Sequence, residues 1–233
     1  IQRSHQLLVA SACAEQQAPG DYPASGQHQR GLPAVALQPR RRPVNLENRF
    51  ALTFGQGSNQ RGNINHQVGA LYPESMRSHV LENGADMGIA FDGDGDRLMM
   101  MDAAGDVKNG DQLLYIIARA KLKSGDLGGG VVGTLMSNLG FEHALQADGI
   151  AFERAAVGDR HVMEKLVRND WRLGGEASGH IICLDKTTTG DGIIAALQVL
   201  DALIGEGQTL SEACDDMTIY PQTMINVPIS QPL

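Results

Sequence analysis

The stretch Met87-Gly88-Ile89-Ala90-Phe91-Asp92-Gly93-Asp94-Gly95-Asp96-Arg97 decides how this chain folds. Its first five residues form an unbroken apolar run, short enough for a buried strand. Three aspartates then alternate with two glycines, and an arginine closes the series. Ionised carboxylates held this close repel and raise one another's pKa, so the loop calls for a cation. The glycines allow a tight loop that turns all three side chains inward. Such hard oxygen ligands suit Mg2+ or Ca2+, not zinc or copper.

Three other readings compete. An EF-hand also begins with acids at positions 1, 3 and 5, but needs glycine at position 6 and glutamate at position 12. Here those places hold Arg97 and Ala103. A haloacid-dehalogenase-type site would use Asp92 as phosphoryl acceptor and Asp94 as acid, leaving Asp96 and Arg97 surplus. A solvated Asp-Gly turn is the bland alternative. An arginine beside a divalent cation suits a phosphate held against the metal.

Outward from this loop, strands and helices alternate. Asp86–Phe91 reads as a buried strand, and Arg97–Asp102 returns as its neighbour before a turn at Ala104-Gly105-Asp106. Asp111 is expected to cap a helix with Leu113, Leu114, Ile117 and Ala118 on one face. Gly130–Thr134 is a short strand, followed by a helix capped at Ser137 and ended by Gly149. Ala151–Val157 is another strand, and Val162, Met163, Leu166 and Val167 mark the next helix face. Arg172–Gly175 and His180–Leu184 flank a loop, and Asp191 starts an apolar helix running through Ile204. This is an α/β chain with mixed sheets flanked by helices, its sites expected at the carboxyl ends of strands.

One such end carries Gly174-Gly175-Glu176-Ala177-Ser178-Gly179-His180. Glu176 can accept from two neighbouring sugar hydroxyls, Ser178 can donate or accept, and the His180 imidazole can give or take a proton. A plain Gly-rich loop is the alternative. Asp159-Arg160 follows a strand end, where Asp159 suits a helix cap and Arg160 a phosphate. Lys186–Asp191 is not a phosphate-binding P-loop, because its glycine and lysine come in the wrong order. A cap before the Asp191 helix is expected there.

Composition narrows the classes. A net charge of -8 argues against nucleic acid as partner. Cys13, Cys183 and Cys214 are the three cysteines, an odd set without metal spacing that suits a reducing cytoplasm. No stretch approaches the roughly 20 apolar residues of a membrane span. Up to Arg61 the texture differs: Gln, Arg, Pro, Ser and His dominate, Gln38–Pro43 is basic and no lysine precedes Lys108. Residues 1–61 are therefore expected to be an atypical segment, disordered or mistranslated.

Together the motifs resemble the α-D-phosphohexomutase superfamily. Its metal loop has the pattern D-G-D-G-D-R and its sugar loop G-E-x-S-G-H; both occur here in order, about eighty residues apart. Within it, the chain resembles the bacterial phosphoglucosamine mutases through Gly62–Asn65, Gly133–Asn138, Val157–Arg160 and Asp185–Gly192. The resemblance implies an incomplete set of domains: the end of a second domain over 62–106, a sugar-binding third domain over 107–221, and the start of a fourth over 222–233.

It also implies an activity, interconversion of hexosamine 6-phosphate and 1-phosphate through a phosphoserine and a bisphosphorylated sugar. Asp92, Asp94 and Asp96 would hold Mg2+, and Arg97 and His180 would be catalytic. Glu176, Ser178 and Arg160 would bind the hexosamine phosphate. Two family loops are missing from this sequence, the T-A-S-H-N-P-like loop with the nucleophilic serine and the R-x-S-G-T-E-P-like phosphate clamp. The polypeptide by itself is therefore expected to be inactive. A non-catalytic Mg2+- or sugar-phosphate-binding domain, and a phosphomannomutase or phosphoglucomutase of the same superfamily, stay open as alternatives.

Overall fold

The computed structural model describes residues 50–53 and 69–223, and these lie in one compact unit. The first of two sheets orders β1 (Phe50–Thr53), β2 (Met87–Phe91), β3 (Leu98–Asp102) and β4 (Val107–Lys108) side by side. β1 runs parallel to β2, and the other neighbours are antiparallel. Phe91 pairs with Leu98, so the six residues Asp92–Arg97 form the whole turn between two buried strands. Within the segment 1–61, residues 50–53 extend the sheet that presents Asp92. The rest of that segment, like 224–233, lies outside the described residues.

Helix α1 (Glu74–Asn83) covers one face of this sheet through buried Met76 and Val80. β2 offers that helix Gly88 and Ala90, while Met87, Ile89 and Phe91 point into the other core. The small residues matter because a Cβ on Gly88 would come within 2.5 Å of the Met76 sulfur.

Two expected caps move by one or two residues. Helix α2 (Gly110–Ser124) is capped by Asn109, not Asp111: its side chain accepts from the N–H groups of Asp111 and Gln112, and Gln112 returns a bond to Asn109. Helix α3 (Leu139–Ala147) is capped by Asn138, whose Oδ1 accepts from Gly140 N–H at 2.9 Å. Ser137 instead closes the preceding turn, its hydroxyl accepting from Thr134 N–H at 3.1 Å. In both cases the residue in extended backbone just before the helix takes the cap. Asp191 does cap its helix, α5 (Gly192–Glu206), accepting from Ile194 N–H at 2.9 Å.

The second sheet orders β6 (Ala151–Ala155), β5 (Gly130–Thr134), β7 (Leu173–Gly175) and β8 (Ile181–Cys183). β6, β5 and β7 are parallel, and β8 returns antiparallel to β7. Helix α4 (Asp159–Asn169) packs Val162 and Leu166 beneath this sheet, with Val132, Ala155 and Ile182. Val167 does not share that face; it is exposed on the opposite side. α2 and α5 lie between the sheets and merge Ile89, Met100, Leu113, Leu145, Leu173 and Val199 into one core. No helix among the described residues is long and apolar enough to cross a membrane.

Asp111, freed from capping, is fully buried and accepts from Asn138 N–H at 2.7 Å. Burial pushes its carboxyl up to about 6, against the pull of Asn138 N–H, Ser137 and Arg154. A raised carboxyl favours the folded state at low pH and loses that contribution as pH rises from about 4 through 6. Asp111→Asn keeps an acceptor for Asn138 and removes the titration. Its stability relative to the natural chain should therefore rise by about 2 kcal/mol between pH 4.5 and pH 7.5. Urea melts at the two pH values measure this, and an unchanged difference would show that Asp111 is charged at both.

Candidate active site

The carboxyl end of β2 and the β7–β8 turn meet along a seam of backbone hydrogen bonds. Leu98 N–H donates to Gly179 O at 3.0 Å, Gly110 N–H to Ala177 O at 3.1 Å, and Gly192 N–H to Gly95 O at 2.8 Å. Arg97 and His180 form an antiparallel bridge across it. The first turns of α2 and α5 thus pin both loops. Gly179 has φ +92°, and a Cβ there would overlap Leu98 O. A Cβ on Gly110 would overlap Glu176 O. Side chains would hold the loops apart, so glycine is what lets them touch.

Asp92, Asp94 and Asp96 bring one carboxylate oxygen each to within 4.8 Å of one another. Asp92 is buried, Asp96 half-buried and Asp94 exposed, so the cluster opens to solvent on one side. Arg97 N–H donates to Asp92 Oδ1 at 3.1 Å, and its Nε lies 3.8 Å from Oδ2, an ion-pair distance too long for a hydrogen bond. Burial raises the Asp92 carboxyl above its ordinary range and Asp96 adds to this, while Arg97 pulls the other way. Asp96 Oδ2 accepts from His180 Nδ1 at 3.0 Å; its Oδ1 is buried with no hydrogen-bond partner. An orphaned carboxylate oxygen beside two further carboxylates fits a hard divalent cation.

The neighbouring loop supplies the other expected residues. Glu176 Oε1 accepts from Gly158 N–H at 2.9 Å, which ties the β7–β8 turn to the start of α4. Ser178 Oγ is buried without a partner, and His180 is buried. Arg160 stands apart: its side chain is 83% exposed and pairs along α4 with Glu164 at 2.9 Å. Asp92, Asp94, Asp96, Arg97, Ser178 and His180 gather around the seam, and Glu176 sits where Gly158 meets it. Gly110, Gly158 and Gly190 each act through a neighbour distant along the chain, so local spacing does not show what they do.

Residues 109–220 match phosphoglucomutase/phosphomannomutase, alpha/beta/alpha domain III. Over these residues the chain belongs to the phosphohexomutase family. It is 62% identical over 169 residues to a phosphoglucosamine mutase of Hahella chejuensis, covering 72% of this chain and 38% of that protein. The chain thus spans under two fifths of that relative's length.

Among solved phosphohexomutases, an N-acetylglucosamine-phosphate mutase in the apo form superposes with TM-score 0.61 at 20% identity, covering 74% of this chain and 43% of that one. The Aspergillus fumigatus N-acetylphosphoglucosamine mutase, solved with GlcNAc-6P and magnesium, superposes with TM-score 0.56 at 20% identity, covering 72% and 40%. At that identity these two share the fold.

Gly179→Ala tests the seam. The substitution combines a positive φ with a clash on Leu98 O, and should lower stability by about 3 kcal/mol. Urea denaturation reads the loss; a change below about 0.5 kcal/mol would mean that the turn is not seated on β3.

Proposed function

We propose that this chain carries the metal-holding and sugar-holding part of a phosphoglucosamine mutase. The observation that supports it most is the orphaned Asp96 oxygen in a three-aspartate loop, stitched directly to the Glu176–His180 turn. Asp92, Asp94 and Asp96 would hold Mg2+, which when bound neutralises charge on a phosphoryl group. Arg97, whose backbone N–H already holds Asp92, would present its guanidinium to the phosphate beside that metal.

Glu176 would meet sugar hydroxyls through Oε2, because Oε1 is taken by Gly158 N–H. Ser178, whose buried hydroxyl is unsatisfied, has an unmet bond to offer the ligand. Arg160, turned toward Glu164, would have to swing to reach a phosphate. The substrate would be a hexosamine phosphate, in keeping with the 62% identical relative. Phosphoryl transfer depends mainly on positioning and charge neutralisation, which this arrangement is built to supply. The phosphoserine that such a reaction needs would lie outside the residues placed here. Residues 62–106 would form the end of the metal-loop domain and 107–221 the sugar domain. Buried free thiols at Cys183 and Cys214 suit work in a reducing cytoplasm.

Two measurements test this. Asp94→Asn in the 233-residue chain should abolish Mg2+ binding in calorimetry, and unchanged binding would rule the metal assignment out. The second replaces the matching segment of the Hahella chejuensis relative with this chain's residues 62–221. The chimera should convert glucosamine 6-phosphate to the 1-phosphate, and Glu176→Gln should cut turnover about ten- to hundredfold through loss of a charged hydrogen bond. Equal turnover at matched melting temperature would make Glu176 an ordinary loop residue.

A further inference from the structure

His180 is held on every side that could move it. Its backbone bridges Arg97, and its carbonyl accepts from Glu176 N–H at 3.0 Å. Its ring is almost wholly buried, with Nδ1 on Asp96 Oδ2 at 3.0 Å. A carboxylate can only accept, so Nδ1 carries the hydrogen of that bond. The opposite edge of the ring lies on Gly190. A Cβ there would overlap His180 Nε2 and stand 2.5 Å from Cε1. Gly190 cannot recede, because its backbone bridges Ile182 in β8.

Asp96 contributes one oxygen to this bond and keeps the other, Oδ1, unpartnered beside Asp92 and Asp94. Fixing one oxygen of a carboxylate fixes the direction of the second. Partners of this kind orient metal ligands, and their loss costs about 10–100-fold in metal affinity.

We propose that His180 is a positioning residue for Asp96, and that Gly190 is the floor holding its imidazole in that role. The inference rests on the three-aspartate metal reading and deepens it. It gives His180 a role in orientation, since Nδ1 is committed to Asp96 and Gly190 lies against the other edge of the ring. It adds Gly190, from the segment before α5, to the residues on which the site depends.

The test uses the 233-residue chain and Mn2+ alone, titrated by the electron paramagnetic resonance signal of the free ion. His180→Ala and Gly190→Ala should each weaken Mn2+ binding about tenfold or more. His180→Asn should recover most of the affinity, because its amide can donate from near the place of Nδ1. In the natural chain, Mg2+ should also shift the 15N resonances of the His180 ring, which a merely structural histidine would not show.

Unchanged Mn2+ affinity in His180→Ala, with Asp94→Asn losing binding, overturns the positioning role and leaves the metal reading standing. Unchanged affinity in Asp94→Asn as well overturns both. Should Gly190→Ala fail to fold by circular dichroism, the contrast between His180→Ala and His180→Asn decides. Equal weakening by those two variants would overturn the proposal.

Discussion

Three carboxylates crowded at the end of a buried strand set the terms for everything around them. Their oxygens lie within 4.8 Å, and Asp92 is already pushed toward protonation by burial and by Asp96. Like charges at that range are tolerable only where hydrogen-bond donors and cations answer them. The protein supplies part of the answer itself: Arg97 N–H on Asp92, the Arg97 guanidinium nearby, and His180 on Asp96. Among the described residues nothing answers Asp94 or the second oxygen of Asp96, and that remainder is what the proposed metal would meet.

The donors that do answer come from distant parts of the chain. His180 directly precedes β8 of the second sheet and Arg97 directly precedes β3 of the first, and the two are brought together because α2 and α5 fill the space between the sheets as one core. The loops then close to backbone contact at Gly110, Gly179 and Gly192. A site assembled this way is only as well ordered as the packing behind it. Buried residues such as Met100, Leu113 and Val199 therefore serve the cluster without touching it.

A second polar network stands behind the carboxyl end of β5. Asn138 caps α3 and also exchanges hydrogen bonds with the Tyr220 backbone, at 2.8 Å from its amide and 3.0 Å to its oxygen. Asp111 holds Asn138 N–H from beneath, and Arg154 donates to Thr134 O and Ser137 O. The 134–138 turn and the chain at 218–222 are thereby fastened to the domain by groups mostly far apart in sequence. Gly140 adds to this, since a Cβ there would overlap Thr218 O.

Much of this was legible from local pattern. The apolar run before Asp92, the alternation of acids with glycine, and the apolar spacing of α2 and α5 each involve residues within one turn or one strand of each other. Their physics is local, so sequence alone determined the α/β class, most of the elements and the three-aspartate loop. The caps at Asn109 and Asn138 were missed by one or two residues, because several polar side chains near a helix start can cap it. Backbone conformation made the choice, leaving Asp111 buried and Ser137 closing a turn. Strand β1 was hidden, since four residues of weak pattern become a strand only beside β2. Tertiary structure alone decided that His180 lies on Asp96, that Gly190 lies under His180, and that Arg160 turns toward Glu164. Those are contacts across separate elements, and no spacing along a chain encodes which surfaces meet once two sheets close on shared helices.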